Sequence, residues 1–291
     1  MQKFILLFSI LISLCFSAQQ NYEWFKINKY RTAVLSDSIN ENSSLDFFNK
    51  RLFTINDSGN SSEIFEINKE TGKIENVLKT NLINRDWEAI TSDSTNLYVG
   101  DFGNNVGSRK DLVIYKIPMR DSIDLAGIEQ FPFYYPEQKD FTPKNLNNNF
   151  DAEAMIFLNG KIHIFTKEWA SKLTTHYIID PAISENQAAQ KIENFPTGYV
   201  VTDAAYFNQK LYLVGYTKKA EVFLTIFNET KPGIFFEDKP KKYYLGSSLT
   251  IGQIEGIAVD EQGIYISGEE FNLPIIKVKP YLYFIPFEKL K

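Results

Sequence analysis

Five copies of one short pattern run along this chain, and no other feature constrains its fold as strongly. Each strong copy opens on an acidic or amide residue and continues to an aromatic or His on the following segment. Asp86-Trp87-Glu88-Ala89-Ile90 leads to Leu97-Tyr98-Val99-Gly100-Asp101, and Asp151-Ala152-Glu153-Ala154-Met155 leads to Ile162-His163-Ile164. Gln253-Ile254-Glu255-Gly256-Ile257 leads in the same way to Ile264-Tyr265-Ile266. Two weaker copies share Phe47-Phe48-Asn49-Lys50-Arg51-Leu52-Phe53 and Tyr206-Phe207-Asn208-Gln209-Lys210-Leu211-Tyr212. Counting back ten positions from Phe53, Tyr98, His163, Tyr212 and Tyr265 gives Ser43, Glu88, Glu153, Thr202 and Glu255, which lie 45, 65, 49 and 53 residues apart. A repeat of this period is one supersecondary unit used again and again in a ring or a stack.

Within each unit the segments read as strands. Aromatic and β-branched residues alternate with polar ones in Glu63-Ile64-Phe65-Glu66-Ile67 and in Leu112-Val113-Ile114-Tyr115-Lys116-Ile117, the period of a half-buried strand. Asp57-Ser58-Gly59-Asn60, Glu70-Thr71-Gly72-Lys73 and Asn159-Gly160 supply turns between them. The second unit divides into four strands over residues 88–91, 98–101, 112–117 and 130–135. Four antiparallel strands per repeat make the blade of a β-propeller. The expectation is an all-β, five-bladed propeller closed by an N-terminal strand, with six blades as the alternative. After Glu255 only 36 residues remain, enough for three strands, so residues 24–27 or 30–35 must supply the fourth. Residues 136–149, rich in Asn, Lys and Pro, read as a surface loop inserted in the second unit.

Residues 1–18 read as a signal peptide: Lys3, an apolar run over residues 4–16, then Cys15-Phe16-Ser17-Ala18-Gln19. The protein is therefore expected to be secreted or periplasmic, with residues 19–291 forming one domain; lipid attachment at Cys15 is the alternative. Cys15 is the only cysteine, so the domain must hold together by its core and not by disulfides. No later run approaches the roughly 20 apolar residues of a membrane span. A formal charge of −5 disfavours nucleic acid as a partner, and two histidines argue against a His-rich zinc site. His163, in a slot that Tyr holds elsewhere, reads as packing. A monomer acting on a small-molecule or glycan ligand is expected.

The inner strand of a propeller blade starts at the top of the axial channel and the second strand returns there. Ser43, Glu88, Glu153, Thr202 and Glu255 should then ring the channel mouth, with Asp57, Asp101, Lys167, Tyr216 and Glu269 meeting them. Carboxylates aimed at one axis repel unless a cation neutralises them or some hold protons. A ring of hard oxygen donors suits Ca²⁺. A wet channel lined by solvated polar groups is the plain structural alternative. No Gly-x-Ser-x-Gly elbow is present, so serine-hydrolase chemistry has no signature.

These residues resemble the calcium-activated nucleotidase (apyrase) family, through Ser43, Phe48-Asn49-Lys50-Arg51-Leu52-Phe53, Asn56-Asp57, Trp87-Glu88-Ala89-Ile90, Leu97-Tyr98-Val99-Gly100 and Glu255-Gly256-Ile257. The pattern is similar also to uncharacterised secreted bacterial propellers. The resemblance implies five blades and one axial Ca²⁺ held by Ser43, Glu88, Glu153, Thr202 and Glu255. It also implies basic groups that grip substrate, here Arg109, Lys167 and Lys218, whereas Asp101 and Glu269 stand where further basic residues would help. Two function classes follow. One is a calcium-dependent hydrolase of a phosphoanhydride or other small ester, with Asp57 or Asp101 as base. The other is a non-catalytic propeller that binds a glycan, peptide or protein, where Tyr134, Tyr135, Trp169 and Phe271 offer rings for stacking.

Overall fold

The computed structural model describes residues 22–120, 122–273 and 276–290; the signal peptide expected at residues 1–18 lies outside them. The chain forms a five-bladed β-propeller. The first blade is Asn42–Phe48, Arg51–Asn56, Glu63–Ile67 and Ile74–Lys79. The second is Trp87–Ser92, Asn96–Asp101, Leu112–Pro118 and Glu129–Tyr134, within two residues of the four strands expected there. The third, Ala152–Leu158, Lys161–Thr166, Thr174–Ile179 and Gln190–Phe195, precedes the fourth, Val200–Phe207, Lys210–Tyr216, Glu221–Asn228 and Lys241–Ser247. The fifth contains Gln253–Val259, Gly263–Glu269 and Tyr281–Pro286, and its outer strand is the N-terminal Arg31–Val34, paired antiparallel with Tyr281–Pro286. This clasp satisfies an edge that would otherwise be open. Glu23–Trp24 goes elsewhere, adding a parallel strand to the outer edge of the fourth blade.

The period-2 alternation explains the core. Opposite faces of each blade feed different hydrophobic clusters, so five clusters fill the five gaps between neighbours. Trp87, Ile90 and Leu97 meet Phe48, Phe53 and Ile55 in the gap between the first two blades, while Ala89 and Tyr98 face Met155, Ile162 and Ile164 of the third. Leu45, Leu52 and Phe65 close the ring against Ala258, Tyr265 and Leu282. The innermost strands touch in the order one to five and back to one.

Every innermost strand carries a one-residue register shift near its start. The unpaired residue is Glu88 between Trp87 and Ala89, Glu153 between Ala152 and Ala154, Thr202 between Val201 and Asp203, and Glu255 between Ile254 and Gly256. A β-bulge turns one side chain away from both faces of the sheet, which frees these residues to face the axis while their neighbours pack between blades. In the first blade the bulge falls on Ser44, not on Ser43, and Ser44 adopts a left-handed φ of 65°. The residue 136–149 insertion is largely exposed but anchored. Gln138 Nε2 donates to the Gly107 carbonyl at 2.8 Å, and Asn148 Nδ2 donates to that of Asn105 at 2.9 Å.

Candidate functional site

The channel mouth gathers carboxylates from four blades. Glu88, Glu153 and Glu255 are nearly fully buried at their bulges, and Asp57 and Glu269 arrive from the ends of second strands. Asp57, Asp86 and Glu88 come closest: one oxygen of each lies within 4.8 Å of the others. Glu88 Oε1 is buried with no hydrogen-bond partner, as are Glu153 Oε2 and Asp151 Oδ2. The backbone of Gly103 presses against this group. A Cβ there would stand 2.3 Å from Glu88 Oε1 and 2.5 Å from Asp86 Oδ2, so any side chain at this position would push both carboxylates aside.

One ammonium faces this charge from within. Lys167 is buried and pairs with Glu153. Burial works against its charge, but the attraction of Glu153, and then of Tyr216, Glu255 and Asp151, raises its pKa well above the ordinary lysine range. Glu255 Oε1 accepts from Tyr216 Oη at 3.2 Å and from Gln253 Nε2 at 2.7 Å, and Gln253 also donates to Glu269. Burial is the first cause of raised carboxyl pKa values here, and mutual repulsion adds to it. Asp57 is pushed up to about 7, with Glu255 and Asp86 contributing, and Glu269 to about 10, with Glu255 and Asp57 contributing. Glu88 lies well above its usual range, its charge opposed further by Asp57, Glu153 and Asp86.

The other residues expected here have more local occupations. Asp101 is fully buried; its Oδ1 accepts from Arg109 at 2.8 Å and its Oδ2 from the Arg85 backbone at 3.2 Å. Arg109 also donates to the Gly103 carbonyl at 3.0 Å and stands 4.0 Å from Asp86. Ser43 Oγ donates to the Glu88 carbonyl at 2.8 Å, and Thr202 Oγ1 to the Ile254 carbonyl at 2.7 Å. Both hydroxyls therefore tie a blade to the next one. Lys218 lies outside the mouth, its Nζ 5.3 Å from the Trp169 ring centroid. Tyr135 is core, Tyr134 is exposed, and His163 is buried with Nδ1 2.8 Å from Nε2 of His176.

Asp203 is the residue whose role the repeat count does not reveal. Fully buried one position past the Thr202 bulge, it accepts from Ser44 Oγ at 2.9 Å, Leu45 N at 3.1 Å and Ile257 N at 2.7 Å. One carboxyl thus joins the fourth blade to the first and the fifth. The sequence sets Asp203 beside the ring, next to Thr202, but the residue ten positions on is the apolar Leu213, so the repeat does not mark it as a link between blades.

The raised carboxyl pKa values set a pH dependence. Asp57 and Asp46 are both pushed to about 7, mainly by burial. Between pH 4 and 7 the folded protein holds protons that the unfolded chain releases, so stability falls as pH rises through the folded pKa. His163 opposes this, because burial lowers its pKa to about 4, but its contribution is complete above pH 6.5. Chelator-treated protein should therefore lose about 1–3 kcal/mol between pH 6.5 and 8 in urea denaturation. A flat or rising stability over that window contradicts the electrostatic description.

No family model and no curated protein matches this chain. Its fold is similar to those of solved structures. One is a candidate 6-phosphogluconolactonase from Bacteroides uniformis, with 11% identity, TM-score 0.38, and coverage of 88% of this chain and 72% of the other. Hydrazine synthase from Kuenenia stuttgartiensis has 10% identity, TM-score 0.42, and coverage of 87% and 68%. The computationally designed protein Ika8 has 9% identity, TM-score 0.36, and coverage of 88% and 100%.

Proposed function

We propose that the channel mouth binds one Ca²⁺ and that the protein is a calcium-dependent hydrolase of a small ester or phosphoanhydride. The observation that carries the reading is the convergence of Asp57, Asp86 and Glu88 oxygens within 4.8 Å, with Glu88 Oε1 buried and unpartnered. The donors are all hard oxygens, the set that calcium prefers. In this reading Glu88 and Asp86 of the second blade and Asp57 after the first would hold the ion. Ser43 and Thr202 keep the neighbouring blades in register, Glu153 balances Lys167, and Glu255 is held by Tyr216 and Gln253. The resemblance to apyrases supports the choice of ion. The export expected from residues 1–18 supports it as well, because extracellular calcium sites work at millimolar concentrations.

Bound calcium would supply Lewis acidity to the scissile group and a lowered pKa to a water on it. The protein's own part is positional. Asp57, partly exposed at the mouth, would give the ion one oxygen and take a proton from the attacking water with the other, whereas Asp101 is committed to Arg109 and the Arg85 backbone. Lys167 holds Glu153 in place and offsets some of the negative potential that would repel an anionic substrate. The test is turnover of phosphoanhydrides, phosphoesters, carboxylic esters and lactones with calcium and with chelator. Release of product only with calcium, and its loss in Asp86→Asn, supports the hydrolase; calcium binding without turnover of any of them favours the non-catalytic propeller.

Gly103→Ala provides a further check on the ion's position. The added methyl must displace Glu88 and Asp86, so calcium affinity should fall about tenfold or more, or about 1.4 kcal/mol, in calorimetric titration. Unchanged affinity would move the ion away from this loop.

A further inference from the structure

Between the third and fourth blades, beside the channel mouth, lies a cavity of about 300 Å³. Its walls include Trp169, Lys172, Tyr199, Tyr216, Lys218 and Lys219, with Thr217 and Glu221 at the fourth-blade side. The protein as a whole is acidic, at −5, yet this cavity gathers three lysines. Among the described residues, Lys172, Lys218 and Lys219 have no carboxylate within ion-pair distance. Lys172 Nζ stands 4.8 Å and Lys218 Nζ 5.3 Å from the centroid of the same Trp169 ring. Trp169 itself is only 7% exposed and its Nε1 is buried without a partner. Lys172 donates to the Trp169 carbonyl, which fixes its ammonium against the cavity wall. With Lys167 Nζ at 5.7 Å, three ammoniums gather over this ring; Lys167 is paired with Glu153, while Lys172 and Lys218 repel each other, and a bound anion relieves that repulsion.

The remaining wall groups narrow the class of anion. Glu221 lines the cavity and accepts from Thr217 Oγ1 at 3.0 Å. Glu153 and Glu255 stand just behind it, through Lys167 and Tyr216. These carboxylates oppose a multiply charged phosphate ligand but can accept hydrogen bonds from hydroxyls. The cavity offers no guanidinium fork for bidentate phosphate recognition, only point-charge ammoniums. Its volume is at the lower end of small-ligand pockets. We propose that this cavity is a binding site for a sugar acid, its single carboxylate on Lys172, Lys218 and Lys219 and its hydroxyls on Thr217 and Glu221.

This site stands on different residues from the calcium site and is tested separately from it. Binding of galacturonate, which carries one carboxylate, is measured by calorimetry alongside its neutral methyl ester and inorganic sulfate. Lys218→Gln and Lys219→Gln replace exposed side chains and leave the fold intact, as equal melting midpoints would verify. The expected result is saturable binding of galacturonate, at least tenfold weaker for the methyl ester and for the double lysine variant. Asp86→Asn should bind the sugar acid as the wild type does, which keeps a failure of the calcium reading distinct from a failure of this one. Equal binding of the acid and its ester, equal binding by the lysine variant, or sulfate binding as tightly as galacturonate would each overturn the proposal.

Discussion

Lys167→Met should destabilise the protein by about 3–5 kcal/mol at pH 8, the loss expected when one partner of a buried ion pair is removed. The ammonium is 4% exposed and pairs with Glu153, itself 3% exposed. Methionine nearly conserves the volume, so the change measures charge and not a cavity. Without the lysine, Glu153, Glu255 and Asp151 lose the attraction that opposes their repulsion. Glu153 can escape by holding a proton, so the loss should shrink toward pH 5, where protonation is easy. Added calcium should recover part of it, because a second cation can stand in for the first. Urea denaturation at pH 5 and pH 8, with and without calcium, reads all of this. A variant as stable as the wild type at pH 8 would mean that the mouth is far more solvated than its burial implies.

Asp203→Ala should have an effect of similar size, about 3–5 kcal/mol, for a different reason. The substitution strands two buried backbone donors, Leu45 N and Ile257 N, and takes from Ser44 Oγ its 2.9 Å acceptor, leaving it the Ile90 carbonyl at 3.4 Å. Each unsatisfied buried group costs about 1–3 kcal/mol. It also releases a side chain that connects the fourth blade with both the first and the fifth. Asp203→Asn should be much milder, since an amide oxygen can still accept from the two backbone donors. Its NH₂ can then donate to Ser44 Oγ. Burial raises the Asp203 pKa well above the usual range, so a neutral side chain at this position conflicts with nothing around it. Equal losses in the Ala and Asn variants would show that packing, not hydrogen bonding, sets the role of Asp203.

Much of the architecture was legible because it depends on patterns that survive weak sequence signals. Alternating aromatics placed the strands of the second blade to within two residues, and the shortage of strands after Glu255 required an N-terminal clasp. The choice between residues 24–27 and 30–35 was not legible, since both are short and aromatic; Arg31–Val34 closes the fifth blade while Glu23–Trp24 extends the fourth. The repeat count picks the starts of the inner strands, and in four blades its residue, Glu88, Glu153, Thr202 or Glu255, is the one the structure bulges out. It chose Ser43 in the first blade because the Phe53 spacing is regular, but the bulge sits one residue later. Two adjacent serines conceal that slip, and only the left-handed φ of Ser44 reveals it.

The site was less legible than the fold. Spacing shows which residues start an inner strand, but not which of their atoms are already engaged. Nothing in the sequence says that Asp101 is locked to Arg109, that Ser43 and Thr202 donate to neighbouring carbonyls, or that Asp86 leans against Glu88 beside Gly103. The run Asp101-Phe102-Gly103-Asn104-Asn105 did contain one clue. Its glycine leaves room for a close approach, and what it approaches is the carboxylate pair.

A thermal melt of chelator-treated protein, with and without millimolar calcium, tests the calcium site most directly. Calcium at about 100 times its dissociation constant stabilises the native state by about 2.7 kcal/mol. For a domain of this size that corresponds to roughly 5–10 °C in the midpoint. The predicted result is such a rise in the wild type, reduced or absent in Asp86→Asn and Glu88→Gln. A wild-type midpoint that does not move with calcium would contradict the assignment and leave the carboxylates as lining of a wet channel.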